Sequence, residues 1–316
     1  MSILITGANG FIGRAACSAA LKAGMPVTGA VRRSVALPEG VQTALLTSDF
    51  GAAEWDTLLT RHRVVIHTVA RVHIMNDPSA DPLAAFRAVN TTGTLRLARQ
   101  AADAGVRRFV FVSSVKVNGE ETERHCPYTH ADLPAPQDPY GISKLEAEHG
   151  LRQIAAETGM EVIIVRPPLV YGPGVKANFA SLMRAVQRGI PLPFGSVTNN
   201  RRSLVALDNL VDLLITCIDH PAAANQTFLV SDGEDLSTVA LIRRMGQAVD
   251  KPARLLPVPT ALLQLGAALA GKRNMAQRLL GNLQVDITHT RETLGWTPPI
   301  GVDEGLRRAA AGMVQR

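Results

Sequence analysis

The chain opens on Ile3-Leu4-Ile5-Thr6, a short β-rich run. It passes directly into Gly7-Ala8-Asn9-Gly10-Phe11-Ile12-Gly13 and then a helix-like stretch from Arg14 to Ala23. A strand, a glycine turn and a helix in immediate succession restrict the fold more than any other feature of this chain. The first glycine makes the turn, the second lets backbone approach a pyrophosphate, and the third packs helix against strand. The phosphates then sit at the helix N-terminus. A glycine triplet alone is common; with strand and helix both in place, it predicts a dinucleotide site built from Gly7, Asn9, Gly10, Phe11, Ile12 and Gly13.

Strand-like and helix-like segments alternate through residue 166. Candidate strands are 2–6, 26–31, 42–46, 63–67, 107–113 and 160–165, with intervening helices at 11–23, 83–104 and 138–158. This is the pattern of βαβ units and a parallel sheet. After Arg166 the texture changes, with Pro167, Pro168, Pro173, Pro191 and Pro193 in fewer than thirty residues. A helix from Asp208 to Cys217 and a strand Thr227-Phe228-Leu229-Val230 follow, and 231–316 is mostly helical. The expected fold class is α/β: a Rossmann-type doubly wound parallel sheet with a smaller, mostly helical C-terminal substrate lobe. The dinucleotide-binding domain is expected to span 1–166, with 203–230 returning to it. Residues 167–202 and 231–316 then form the substrate-binding lobe.

Hydrophobic content of 46% against 19% charged residues is ample for a core. The net charge of +6 comes from scattered pairs, Arg32-Arg33, Arg107-Arg108, Arg201-Arg202, Arg243-Arg244 and Arg307-Arg308. With aromatics at only 4%, base-stacking platforms are scarce and no nucleic-acid partner is expected. Cys17, Cys126 and Cys217 are few, odd in number and widely spaced, which argues against a disulfide framework or a metal site. Residues 1–6 read as a strand rather than a charged leader, and no apolar stretch reaches spanning length, so a cytoplasmic protein is expected.

Tyr140 and Lys144 lie four residues apart in Tyr140-Gly141-Ile142-Ser143-Lys144, so on a helix they share a face. An unperturbed Tyr titrates near pH ~10. A nearby cation stabilises the phenolate and is expected to bring it toward the working range. Ser114 ends the apolar run Phe109-Val110-Phe111-Val112-Ser113-Ser114, which reads as a buried strand. A hydroxyl at the carboxyl end of such a strand faces the crevice where open α/β sheets bind ligands. Ser114, Tyr140 and Lys144 are the candidate catalytic residues. A Tyr and a Lys can share a helix face by chance; beside a dinucleotide site the pair acquires meaning.

These residues together resemble the extended short-chain dehydrogenase/reductase family, in particular its nucleotide-sugar epimerase, dehydratase and reductase branch. The likeness covers nearly the whole chain. It includes residues 6–13, Asp49-Phe50, Val65-Ile66-His67-Thr68-Val69-Ala70, Asn90-Thr91-Thr92-Gly93-Thr94 and Ser113-Ser114. It continues through Pro139 to Lys144, Val165-Arg166-Pro167, Val170-Tyr171-Gly172-Pro173-Gly174 and Leu294-Gly295-Trp296-Thr297-Pro298. The resemblance assigns Tyr140 acid/base work at a sugar hydroxyl or carbonyl. Lys144 would hold the nicotinamide ribose and tune Tyr140, and Ser114 would donate to the same substrate oxygen. It adds Asp49 and Phe50 at the adenine, and Thr68, Val69, Ala70 and Pro167 toward the nicotinamide.

NAD-preferring folds place an acid at the end of the second strand, whereas a nearby arginine suits the 2′-phosphate of NADP. Here Val31 occupies the slot where NAD-using sugar epimerases of this family carry an aspartate, and Arg32 and Arg33 follow. NADP(H) is therefore the expected cofactor and NAD(H) the alternative. Dehydration is not expected, because that branch carries Asp-Glu after its catalytic hydroxyl residue and this chain has Val115-Lys116. The lead expectation is NADPH-dependent reduction of a nucleotide-linked 4-keto sugar. A UDP-4-keto-6-deoxy-N-acetylhexosamine for bacterial surface polysaccharide is the type in view. The first alternative is a 4-epimerase of a UDP- or polyprenyl-diphosphate-linked N-acetylhexosamine, and the second a non-catalytic dinucleotide-binding protein.

For the substrate, Arg202 aligns with the family arginine that grips the nucleotide diphosphate, and a guanidinium fork suits phosphate oxygens. Arg201 competes for that role. Asn178 matches a diphosphate- or nucleotide-contacting asparagine, or is a helix N-cap. Asn118 is a sugar contact or a turn residue. His67 reads as a buried structural histidine, while His73, His125 and His130 lack metal-ligand spacing. The apolar run 261–270 before Gly271-Lys272-Arg273 is either a lobe-core or dimer helix or a membrane-contacting segment. Related enzymes often pair through helices, so a homodimer is expected.

Overall fold

The computed structural model describes residues 2–46, 50, 53–72, 81–271 and 273–314; Asp49 and His73 lie outside them. The strands are β1 (Ile3–Thr6), β2 (Val27–Val31), β3 (Gln42–Leu45), β4 (Val64–His67), β5 (Arg108–Val112) and β6 (Glu161–Arg166). They are followed by β7 (Leu169–Tyr171), β8 (Arg202–Ala206), β9 (Thr227–Leu229) and β10 (Asp235–Leu236). Seven form one parallel sheet in the order β3-β2-β1-β4-β5-β6-β9. Strands β1, β2, β4 and β5 are buried along their whole length, as apolar β-branched runs sandwiched between helix layers must be.

The helices are α1 (Phe11–Lys22), α2 (Asp56–Leu59), α3 (Pro82–Arg87), α4 (Thr94–Asp103), α5 (Pro139–Thr158) and α6 (Ala177–Gln187). The second half adds α7 (Leu207–Thr216), α8 (Thr238–Ala248), α9 (Thr260–Leu269), α10 (Arg273–Leu280), α11 (Thr288–Leu294) and α12 (Val302–Val314). One apolar cluster unites α1 and α7 with one sheet face, and another unites α4 and α5 with the opposite face. The strand order reverses between β1 and β4, and the carboxyl ends of these strands open a crevice at that switch point.

The stretch 83–104, expected as one helix, is three pieces. Between α3 and α4 the residues Ala88–Gly93 form a π-helical turn that buries Asn90. The inserted residue lets the Asn90 amide leave the helix. Its Nδ2 donates to Arg71 O (3.0 Å) and to Ser143 Oγ (3.0 Å) on α5.

The segment 203–230 divides between the two parts. Strand β8 pairs with β7 and β10 in a separate three-stranded sheet, helix α7 packs on α1, and β9 pairs with β6 in the main sheet. A third apolar cluster joins β8 to α6, α8 and α12. No described helix is long and apolar enough to cross a membrane.

Candidate active site

The glycine turn is shaped by what its glycines leave out. Gly7 has φ +69, a left-handed conformation that L side chains rarely adopt, and Gly10 occupies the N-cap of α1. A Cβ on Gly13 would stand 2.2 Å from the Gly7 carbonyl oxygen. The helix therefore approaches the strand end only because position 13 has no side chain. A cavity of about 440 Å³ lies above this turn. Thr6, Gly7, Asn9 and Gly10 line one wall, Thr68, Val69 and Ala70 another, and Phe50 and Trp55 close its inner end. Val31, Arg32 and Arg33 stand at the remaining side, with both arginines exposed. Phe11 and Ile12 begin α1 and pack partly against the core rather than lining the cavity. The bare glycine cradle at a helix N-terminus fits the diphosphate of a dinucleotide, and the apolar inner end fits an adenine.

His67 is structural. It is fully buried, its Nδ1 pairs with Thr6 Oγ1 (2.6 Å) and its Nε2 with Thr94 Oγ1 (3.0 Å). Its ring stacks between Phe50 and Phe111. Burial, aided by Lys144, holds it well below the usual histidine range, so it stays neutral.

Ser114, Tyr140 and Lys144 come together where β5 ends against α5. Asp138 starts α5 by accepting from Gly141 N (2.7 Å), with Pro139 at the first helical position, and Gly159 closes it at φ +75. This cap fixes Tyr140 in the first turn, with its ring edge-on to Phe86. Ser114 leads a short 3₁₀ turn, Val115–Val117, and its Oγ accepts from Lys116 N (3.2 Å). Lys116 Nζ in turn bonds both Glu120 (2.7 Å) and Asp138, tying the serine loop to the cap of α5. Pro167 anchors the same loop from the next strand end, its carbonyl accepting from Val115 N (3.0 Å).

The electrostatics run opposite to the expectation of an acidified phenol. Burial pushes Tyr140 up to about 12, against a hydrogen bond from Ser114 that favours the phenolate. Burial also pulls Lys144 down to about 7, with the Glu148 carboxylate resisting. The lysine's Nζ donates to Val112 O (2.8 Å) and sits 4.4 Å from the centre of the Phe111 ring. Desolvation outweighs the cation because both groups are enclosed by the sheet end and the helix.

Behind them lies a buried network of which the sequence reading singled out only Asn118, as a sugar contact or a turn residue. Glu148 accepts from Ser113 Oγ (2.6 Å) and from Arg166 Nε (2.9 Å) and Nη2 (2.6 Å). Arg166 Nη1 donates to Asn118 Oδ1 (3.1 Å), and Asn118 Nδ2 to Thr129 O (3.1 Å). Both polar ends of the Asn118 amide are thus occupied by protein. The adjacent serines divide the work: Ser113 serves the network, Ser114 the crevice.

In the substrate lobe Arg202 is largely enclosed, its Nη1 reaching Gly281 O (3.3 Å). Burial and the neighbouring Arg278 guanidinium lower it to about 10, with Glu120 and Glu121 opposing. Arg278 is a residue that sequence spacing gave no reason to pair with Arg202. Arg201 instead spends its Nη1 on the carbonyls of Thr198 (3.0 Å) and Asn200 (2.9 Å). Asn178 is exposed in the first turn of α6, whose N-cap is Lys176, so it caps nothing. Among the described residues no group of three or more His, Cys, Asp or Glu side chains is placed to hold a metal ion.

Residues 3–231 match the model of the NAD dependent epimerase/dehydratase family. The chain is 52% identical over 316 residues to a UDP-glucose 4-epimerase of Vibrio cholerae, covering 99% of this chain and 96% of that protein. It is 25% identical over 261 residues to an N-acetyl-alpha-D-glucosaminyl-diphospho-ditrans,octacis-undecaprenol 4-epimerase of Escherichia coli O157:H7, 76% of each chain being covered. The crystal structure of a UDP-glucose 4-epimerase from Thermotoga maritima with UDP-glucose superposes with a TM-score of 0.78. At 22% identity, and with 100% and 99% of the two chains covered, it shares the fold. The chain therefore belongs to the NAD dependent epimerase/dehydratase family, within the extended short-chain dehydrogenases/reductases.

Proposed function

We propose that this protein is a 4-epimerase of a UDP-linked hexose. The observation that carries the reading is the convergence of Ser114, Tyr140 and Lys144 on the crevice beside the dinucleotide cavity, in a chain 52% identical to a UDP-glucose 4-epimerase. The expectation of a keto-sugar reductase yields to the epimerase alternative on that likeness. Its main support had been the missing acid at Val31, which bears on the cofactor rather than on the reaction. NAD is proposed as the resident nucleotide. The two exposed guanidiniums of Arg32 and Arg33, with Val31 in place of an acid, support binding of NADP as well.

Gly7, Asn9, Gly10 and Gly13 would cradle the diphosphate, Phe50 would back the adenine, and Thr68, Val69, Ala70 and Pro167 would border the nicotinamide. Bound there, the nucleotide supplies a hydride acceptor for the first half of the cycle and a hydride donor for the second. As the phenolate, Tyr140 takes the proton of the sugar C4 hydroxyl during oxidation, and as the phenol it returns that proton during reduction, so no proton is consumed overall. Ser114 holds the same oxygen. The negative charge of the Tyr140 phenolate raises the proton affinity of Lys144 one turn away, so the two titrate as a unit. Arg202 and Arg278 anchor the diphosphate. That leaves the sugar free to turn and present either face, as inversion at C4 demands.

The test is to incubate the purified protein with UDP-glucose and follow the C4 epimer by proton NMR, without added nucleotide and with NAD. Interconversion without net NAD consumption is expected, first with UDP-glucose and then with its N-acetylated counterpart. Stoichiometric NADPH oxidation by UDP-4-keto-6-deoxy sugars, with no interconversion of either UDP-hexose, would return the reading to a reductase.

A further inference from the structure

Helix α9 offers an apolar face that the other described residues do not cover. None of its residues is buried, and Leu262, Leu265 and Leu269 are 58%, 57% and 82% exposed. Their spacing places them on one side of the helix. Upstream, Leu256 is 51% exposed as well.

The sequence segment that holds this helix carries charge of one sign. From residue 251 to residue 285 the chain carries Lys251, Arg254, Lys272, Arg273 and Arg278 and not one Asp or Glu. The whole chain has 33 basic and 27 acidic residues; without these five it would have 28 against 27. This one segment of sequence, which contains the exposed apolar helix, thus carries five positive charges and no negative one. Among the described residues, Lys251, Arg254 and Arg278 engage in no ion pair.

We infer that the α9–α10 hairpin docks on an anionic lipid surface. Leu262, Leu265 and Leu269 enter the acyl boundary while the segment's cations other than Arg278, which faces Arg202, meet the headgroups. An apolar helix face edged by Lys and Arg has the composition of a segment that lies in a membrane interface. Each basic residue near such a surface strengthens binding about fivefold. The same charge argues against a second copy of the chain as the occupant, because a two-fold interface would set this basic segment against itself. A groove of about 610 Å³ between α9 and α10 runs from Leu265 to Gly281, whose carbonyl accepts from Arg202, with Glu121 of the neighbouring loop also lining it. The docking surface thus adjoins Arg202 of the substrate lobe, and it stands whatever sugar the crevice takes.

Full-length protein is sedimented with vesicles of phosphatidylcholine alone and of phosphatidylcholine mixed with phosphatidylglycerol. It is expected to pellet with the mixed vesicles only and to be released by high salt. Replacing Leu262→Gln, Leu265→Gln and Leu269→Gln together alters only exposed positions. This variant is expected to keep its circular dichroism and nucleotide content while losing vesicle binding about tenfold or more. Three results overturn the inference: wild-type protein left in the supernatant of mixed vesicles, equal pelleting of the variant, or a solution dimer that the variant dissociates.

Discussion

Arg166 grips Glu148 with two nitrogens one helical turn beyond Lys144, at 2.9 Å through Nε and 2.6 Å through Nη2, with side chains 2% and 0% exposed. Glu148 is also the charge that resists the loss of proton affinity at Lys144. Breaking a buried pair from one side costs about 3–5 kcal/mol, because it strands the other charge. Arg166→Met is expected to lower the unfolding free energy by that amount in urea titrations. Arg166→Met combined with Glu148→Met is expected to recover most of it. A single-variant loss under about 1 kcal/mol would mean the pair behaves like a surface bridge.

Tyr140→Phe removes the proton carrier and leaves the half-buried ring in place. Epimerisation is expected to fall by about 10²–10⁴-fold with nucleotide binding intact. The phenol sits at about 12, so it holds its proton throughout the neutral range. As a base it gains with rising pH, so in wild type the oxidation half-reaction, followed by single-turnover absorbance, should quicken from neutral toward alkaline pH. A flat profile would place the rate-limiting step outside Tyr140.

The glycine turn, the parallel sheet and the convergence of Ser114 with Tyr140 and Lys144 were legible because each is written in contiguous residues. A strand, a turn and a helix follow one another without interruption, and a helix brings i and i+4 together. The supporting parts were not legible for the same reason. Arg166 and Glu148 meet only when β6 packs under α5, and Arg278 reaches Arg202 only when α10 folds back over β8. The electrostatic direction at Tyr140 depends on burial, which spacing does not encode. The π turn at Asn90 had a signal in its run of Asn, Thr and Gly, but helical periodicity alone predicts one unbroken helix there.

Lys144 ties function to a stability cost. Its folded value of about 7 lies below the ordinary 10.5, so between these pH values the unfolded chain binds more protons and stability rises with pH. Below about 7 the full cost of burying the ammonium is present. Lys144→Met is expected to abolish most activity, flatten this rise, and be no less stable than wild type at pH near ~6. A series of urea midpoints across pH checks this; a variant with the same slope as wild type would show that Lys144 is not the source.

Gly13→Ala probes the cradle without touching any polar group. Its Cβ would need to stand 2.2 Å from the Gly7 carbonyl oxygen, so the turn must shift. Overpacking of this kind costs about 1–3 kcal/mol. Because the shifted turn is the diphosphate cradle, NAD affinity by calorimetry is expected to fall about tenfold or more, beyond what the stability loss explains. Gly266→Ala is the control, since a Cβ there meets no atom within 4 Å.

Arg202 and Arg278 set two guanidiniums against each other in a largely enclosed position; burial first, and the Arg278 charge second, lower Arg202 to about 10. An anion placed between them relieves the repulsion, so the arrangement favours a diphosphate. Arg202→Gln is expected to raise KM for the UDP-hexose about 10–100-fold with kcat changed much less, since the contact is the same in ground and transition states. Arg278→Gln should do the same to a smaller extent. Because removing either cation also removes repulsion, the unliganded variants should be no less stable than wild type by thermal unfolding. Added UDP should then protect them less than it protects wild type. Equal protection by UDP would place the diphosphate elsewhere in the crevice.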